Sequence, residues 1–113
     1  MLTLLLMLAQ AASGPTAGLE PAFRNTIVST YPDGRTARLW LEPGGTYRGQ
    51  GRRGGATSGR WVIDGANICM TQRRPLPLPI RYCTPVMRGD VGARWTAKAV
   101  TGEAITVQLV AGR

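Results

Sequence analysis

Few residues in this chain could perform catalytic chemistry. The 113 residues include six Asp and Glu and no histidine. Histidine is the commonest general base near neutral pH and the commonest metal ligand, so Ser-His-Asp triads, Cys-His pairs and imidazole zinc sites are excluded from this chain. A pair of carboxylates in one cleft would be needed for glycosidase-type acid–base chemistry. Five candidates lie in or beside turn-like segments with no sign of convergence: Asp33, Glu42, Asp64, Asp90 and Glu103. We therefore expect no enzyme, no metal and no cofactor.

The two cysteines, Cys69 and Cys83, are the other reactive residues. An even pair in a small domain predicts a disulfide formed in an oxidising compartment. Closing a loop of this size stabilises a chain by roughly 3 kcal/mol on the chain-entropy model. Neither cysteine lies in a C-x-x-C motif, so we expect no redox catalysis. Cys69 has the parity opposite to Ile68 and Met70, which places the bridge on the outer surface of a sheet. Two buried free thiols are the alternative.

The N-terminal residues indicate export. An apolar run, Met1 to Leu8, is followed by small residues with an A-x-A arrangement at Ala9 and Ala11. This order is typical of a secretory signal peptide, and the run is far shorter than the roughly 20 residues of a transmembrane helix. We predict a signal peptide over 1–11, a flexible segment over 12–22, a single β domain over 23–113 and no transmembrane span. The predicted location is periplasmic or secreted. An N-terminal core helix or strand is the alternative.

Short β-like runs separated by turn residues follow from residue 23 onward. Pro32-Asp33-Gly34 is a turn signal, because Pro presets φ and Gly accepts φ > 0. About eight short runs at this spacing predict an all-β fold, an antiparallel up-and-down barrel or a sandwich. A barrel is favoured because closure removes exposed strand edges. The predicted strands are 23–30, 36–42, 46–48, 59–64, 67–72, 80–84, 93–100 and 104–110.

Three motifs carry a family resemblance: G-T-Y at 45–47, G-x-W at 59–61 and D-G-x-x-I-C at 64–69. Together they resemble a pattern of small exported bacterial β-barrel proteins, and they are similar to lipocalin-like and periplasmic protease-inhibitor barrels. The resemblance implies an eight-stranded antiparallel fold. In the inhibitor family a free N-terminal segment enters the protease cleft, a role that residues 12–22 would take here. In lipocalins the Gly-x-Trp lies on the first strand, whereas here it lies on the fourth predicted strand.

Aromatic residues supply a candidate ligand site. Tyr47, Trp61, Tyr82 and Trp95 could line a cavity inside the barrel. The alternative is that they fill a solid core. Trp40 alternates with Leu39 and Leu41, so we expect it to face outward.

Arginines supply a second candidate site. The net charge is +8, which attracts anions in a salt-dependent way. Arg48, Arg52 and Arg53 lie in a Gly-rich segment, and Arg73 and Arg74 precede a proline-rich connection. These five could contact an anionic surface such as lipid headgroups, lipopolysaccharide phosphates or an acidic protein partner. A solvated hairpin loop and GC-rich codon usage are the alternatives, and we do not expect nucleic acid as a partner.

These features favour an exported, non-enzymatic β-barrel that acts as a binding or interaction module. Its partner is unknown, and an anionic envelope surface or a protein is expected. One alternative is a lipocalin-like carrier of a small apolar ligand, which requires an interior void beside Trp61 and Trp95. Another is a periplasmic protease inhibitor. The proline-rich connection at 75–79 has proline at every second residue, and we expect it to be a stiff connector across one end of the barrel.

Overall fold

The protein folds as eight consecutive antiparallel strands preceded by one helical turn, and the predicted all-β class is confirmed. The computed structural model describes residues 16–86 and 88–113. The helix α1 covers Glu20–Arg24. The strands are β1 (Thr26–Thr30), β2 (Thr36–Leu41), β3 (Thr46–Gln50), β4 (Ala56–Asp64), β5 (Asn67–Arg74), β6 (Arg81–Pro85), β7 (Arg94–Lys98) and β8 (Ala104–Val110).

The strands form a nearly closed up-and-down barrel. Their order in the sheet is β6-β5-β4-β3-β2-β1-β8-β7, and every ladder is antiparallel. The sheet, in which β1 pairs with β8, is curled so that its terminal strands, β6 and β7, approach each other. The Tyr82 hydroxyl on β6 donates a hydrogen bond to the Lys98 carbonyl on β7 across this seam. The barrel prediction is confirmed, and the sandwich alternative is not adopted.

Up-and-down connections place the loops alternately at two ends of the barrel. We call the end formed by 31–35, 51–55, 75–80 and 99–103 the upper end. The lower end is formed by α1, 42–45, 65–66, 86, 88–93 and the C-terminal residues. Turn chemistry holds as predicted at Gly34, which has φ +84° and donates its N–H to the Tyr31 carbonyl at 2.9 Å.

A packed core closes the lower end. Leu41 is 2 % exposed and Trp61 is 5 % exposed. The Trp61 Nε1–H donates to the carbonyls of Glu42 and Thr46 at 3.0 and 2.9 Å, so the indole bridges the β2–β3 turn. Phe23 of α1 stacks on the Trp61 ring with centroids 5.9 Å apart.

The helix α1 corrects the predicted start of the β domain. Leu19 and Ala22 are buried in this lower core, so the folded unit begins before residue 23 and residues 19–22 are not a free tether. The predicted first strand, 23–30, likewise starts at Thr26, because Phe23 and Arg24 are helical. One helical turn is too short to show a 3.6-residue period, so the sequence gives no periodic signal for α1. The predicted signal peptide lies outside the described residues.

The Gly- and Arg-rich segment is a paired hairpin rather than a long loop. Strand β3 extends to Gln50 and β4 begins at Ala56, whereas the sequence predicts 46–48 and 59–64. Register shifts by a bulge between Ser58 and Gly59. No helix within 16–86 or 88–113 is long and apolar enough to cross a membrane.

Candidate functional site

The structure confirms the predicted disulfide. Cys69 on β5 and Cys83 on β6 are cross-strand partners joined by a bond between their Sγ atoms. Ile68 and Met70, the neighbours of Cys69, line the barrel interior, so the bridge lies on the outer face as its parity predicts. Because β6 is a terminal strand of the sheet, the bridge fixes it to the rest of the barrel.

The upper half of the barrel is hollow. A cavity of about 270 Å³ lies there, and its mainly apolar lining comes from residues of six strands and all four upper-end loops. A smaller cavity of about 100 Å³ lies next to it toward the lower core and the seam. Both cavities share the side chains of Ser29, Leu39, Met70 and Tyr82. We call them the upper and lower cavities.

Small side chains create the upper cavity. Ser29 and Ala37 are cross-strand partners that face inward, and Gly49 and Thr57 are the next such pair around the barrel. At the lower end the equivalent inward positions carry the larger side chains of Leu41 and Trp61, which belong to the lower core. Because the inward residues of the upper half are small, they leave space that larger side chains would occupy.

The aromatic residues predicted to line a cavity divide into two groups. Tyr47 lines the upper cavity, Trp95 lines the lower one and Tyr82 lines both. Trp61 lines neither, since it is part of the packed lower core. Burial raises the pKa of the Tyr47 phenol above its ordinary value, so this group faces the cavity uncharged at any ordinary pH.

The upper cavity reaches the surface at the proline-rich connection. Leu78 and Ile80 from this connection and Val100 from the β7–β8 turn line the cavity, yet they are 40 %, 53 % and 62 % exposed. Gln72 holds the connection in place: its carbonyl accepts the Leu78 N–H at 3.1 Å, and its Nε2 donates to the Leu76 carbonyl at 3.2 Å. The predicted stiff connector therefore forms the rim of a cavity mouth.

Sequence reasoning missed the aliphatic residues of the mouth. Alternation places Met70 and Gln72 inward, and this signal was available. Alternation along the predicted strand 80–84 also places Ile80 on the same face as Tyr82, whereas the inward role of Leu78 depends on the path of the proline-rich connection, which alternation does not predict.

The five predicted anion-binding arginines do not form one surface. Arg48 lies on the outer wall, where it pairs with Glu42 at 3.6 Å and covers the Trp40 ring at 5.7 Å. Trp40 faces outward as expected, and its Nε1–H donates to the Thr26 hydroxyl at 2.9 Å. The other four arginines, Arg52, Arg53, Arg73 and Arg74, lie at the upper end.

Arg52 is held by two carboxylates. Its Nη1 and Nη2 donate to the Glu103 oxygens at 3.2 and 3.1 Å, and its Nη1 lies 3.8 Å from Asp33. Its guanidinium also stacks on Tyr31 at 4.2 Å from the ring centroid. This group, which we call the rim cluster, ties together the 31–35, 51–55 and 99–103 loops. Arg53, Arg73 and Arg74, in contrast, are exposed and have no carboxylate within 4 Å among the described residues.

The rim cluster is also where two of the five candidate carboxylates meet. Hydrogen bonds from Thr101 and Arg52 lower the pKa of Glu103 below its ordinary value. Arg52 lies between the Asp33 and Glu103 carboxylates and pairs with both, so the two acids link the 31–35, 51–55 and 99–103 loops. No group of three or more His, Cys, Asp or Glu in the described part of the chain is placed to hold a metal ion.

Comparisons of the chain with models of protein families, with curated proteins and with solved structures found no match. Function is therefore inferred from the chemistry of the barrel itself.

Proposed function

We propose that the protein is a non-enzymatic binding module that holds a small, mainly apolar ligand in the upper cavity. The observation that carries this proposal is the apolar void of about 270 Å³ that reaches the surface at the upper end. Ligand pockets in proteins are concave, mostly apolar and lined by a few polar groups. This corresponds to the lipocalin-like alternative drawn from the sequence.

The size and lining of the upper cavity indicate the class of ligand. Pockets for small molecules run from about 300 Å³ upward, and an apolar cavity of about 150 Å³ takes up benzene. The void therefore suits a ligand of one ring system or a short alkyl chain. Leu39 and Met70 line its deep part, whereas Thr57 and Gln72 supply polar groups nearer the mouth. A ligand with an apolar body and one polar end suits this arrangement.

Export to an oxidising compartment remains part of the proposal. The Cys69–Cys83 disulfide is consistent with such a compartment. The bridge persists under oxidising conditions. It fixes β6, the strand that follows the proline-rich connection at the cavity mouth.

Titration with the fluorescent probe 1-naphthylamine, which has one fused ring system and one polar end, tests the proposal. Ser29 lies where the two cavities meet, so Ser29→Phe places a ring in the void. Thr30→Phe is the matched control, because Thr30 is the next residue on β1 and is exposed on the outer face. We expect the wild type and T30F to bind the probe with a blue-shifted emission. S29F should bind it at least about tenfold more weakly, since the ring takes the apolar volume that the probe would bury.

Thermal unfolding of each variant shows that the comparison is made on folded protein. Equal probe binding by S29F and T30F would place the probe on the surface and refute the proposal. Absence of binding by the folded wild type would also refute it.

A further inference from the structure

We infer that the upper end docks onto an anionic lipid surface. In this arrangement Leu76, Ile80 and Val100 enter the interfacial region of the bilayer, and Arg53, Arg73 and Arg74 bind the anionic headgroups. The inference goes beyond ligand binding, because it would hold for a barrel with an empty cavity.

An exposed apolar tip is the first observation. Leu76 is 67 % exposed, Val100 62 % and Ile80 53 %, and all three are in loops of the same end. Several exposed apolar residues at one end of a small protein are typical of an interaction surface. Pro75, Pro77 and Pro79 stiffen this connection, and the hydrogen bonds to Gln72 fix it further. Inserting it into a membrane would therefore cost little conformational entropy.

Charge around the tip is the second observation. Arg73 and Arg74 end β5 directly before the apolar connection, and Arg53 lies on the neighbouring hairpin loop. These three arginines have no ion pair with any described residue. The two acids of the upper end, Asp33 and Glu103, are both held by Arg52. The remaining acids, Glu20, Glu42, Asp64 and Asp90, belong to the lower end.

The exposed apolar tip and the three arginines together favour a membrane over a soluble polyanion as the partner. A soluble polyanion needs cations but gains nothing from exposed leucine and isoleucine. An anionic bilayer attracts basic residues and also buries apolar side chains at the headgroup boundary. The proline-rich connection supplies both in adjacent positions. The cavity mouth, bordered by Ile80 and Val100, would then face the lipid rather than water.

Vesicle co-sedimentation of the full chain tests the inference. We expect binding to phosphatidylcholine vesicles that contain about one third phosphatidylglycerol, and much weaker binding to phosphatidylcholine alone. Removing both charges in Arg73→Gln/Arg74→Gln should weaken binding to the anionic vesicles by about 30-fold, roughly fivefold for each arginine. Arg60→Gln/Arg94→Gln is the matched control, because both arginines are exposed on the barrel wall and have no ion pair with a described residue. It should retain most of the affinity.

The apolar tip has its own pair of variants. Leu76→Ser should weaken binding by about tenfold. Val62→Ser, which alters an apolar side chain 50 % exposed on the wall, should leave it nearly unchanged. In addition, a tryptophan placed at the tip (L76W) should be quenched by brominated phospholipid, and one placed on the wall (V62W) should not. The two variants share the N-terminal residues and the native tryptophans. The difference in their quenching therefore reports insertion of the tip and not lipid binding by the N-terminal residues.

Equal affinity of the tip and wall variants would overturn the inference, as would equal quenching of L76W and V62W. Binding to heparin but not to anionic vesicles would also overturn it, because the partner would then be a soluble polyanion. The probe titration contains no lipid, so failure of the ligand proposal and failure of membrane docking are separate results.

Discussion

Gly59 occupies a position where the barrel wall has no room for a side chain. A Cβ atom there would lie 2.1 Å from the Thr71 carbonyl oxygen and 2.8 Å from the Tyr47 ring. The G-x-W motif thus has a steric basis: its glycine lets β5 and the Tyr47 ring close on β4 at the bulge, and its tryptophan fills the lower core. We expect Gly59→Ala to lower the free energy of unfolding by about 3 kcal/mol, measured by urea denaturation.

Gly55→Ala is the control for that substitution. A Cβ atom at Gly55 would meet no atom within 4 Å, so the change should alter the free energy of unfolding by less than about 1 kcal/mol. If G59A proved as stable as G55A, the packing of β4 against β5 described above would be wrong.

At the scale of the elements, the rim cluster joins three loops that have no ladder contact with one another. Its carboxylate Glu103 has a lowered pKa in the folded protein, first through the Thr101 hydrogen bond and then through Arg52. A lowered folded pKa stabilises the fold above the unfolded value of about 4.3, and that contribution is lost as the pH falls through the folded pKa. We expect Glu103→Gln to lower the melting temperature at pH 7. The difference from the wild type should shrink below about pH 4. A difference that stayed constant between pH 3 and pH 7 would contradict this role.

The elements also show how far the sequence predicts this fold. Strand β8 was predicted with its observed bounds, because Ile105, Val107 and Leu109 alternate strictly and are all buried. Turn signals placed the other strands to within a few residues. The helix α1 was missed because its one turn is stabilised by contacts with the distant Trp61, which no local pattern encodes.

The sequence predicts which side chains of the candidate site face inward, but it does not predict the volume of the cavity between them. Alternation identifies which residues face inward, and it correctly predicts the outer position of the disulfide. Whether those residues fill the interior depends on how Ser29, Ala37 and Gly49 meet across the barrel, and this follows from register rather than from any one strand. The pairing of Arg52 with Glu103 likewise joins residues far apart in sequence, so five arginines that look alike in sequence differ in the fold.

At the scale of the whole molecule, the barrel is weakest at its seam. Seven antiparallel ladders join the strands, whereas β6 and β7 meet through the Tyr82–Lys98 hydrogen bond without a ladder among the described residues. Strand β6 therefore has one ladder partner, β5, and the disulfide reinforces that ladder. The same strand carries Tyr82, which lines both cavities. Closure of the barrel and the shape of the cavity thus depend on one strand.

Removal of the disulfide should affect both the closure of the barrel and the shape of the cavity. We expect Cys69→Ala/Cys83→Ala to lower the free energy of unfolding by about 3 kcal/mol, because the unfolded chain regains the freedom of the loop between the cysteines. Amide hydrogen exchange should accelerate most on β6, since that strand loses its covalent anchor and can separate from the seam. Affinity for the naphthylamine probe should also fall, because Tyr82 no longer holds its place in the wall.

Tyr82→Phe serves as the comparison, because it removes the seam hydrogen bond but keeps the bridge and the ring. Faster exchange spread evenly over all strands would show that the seam is not the point at which the barrel opens.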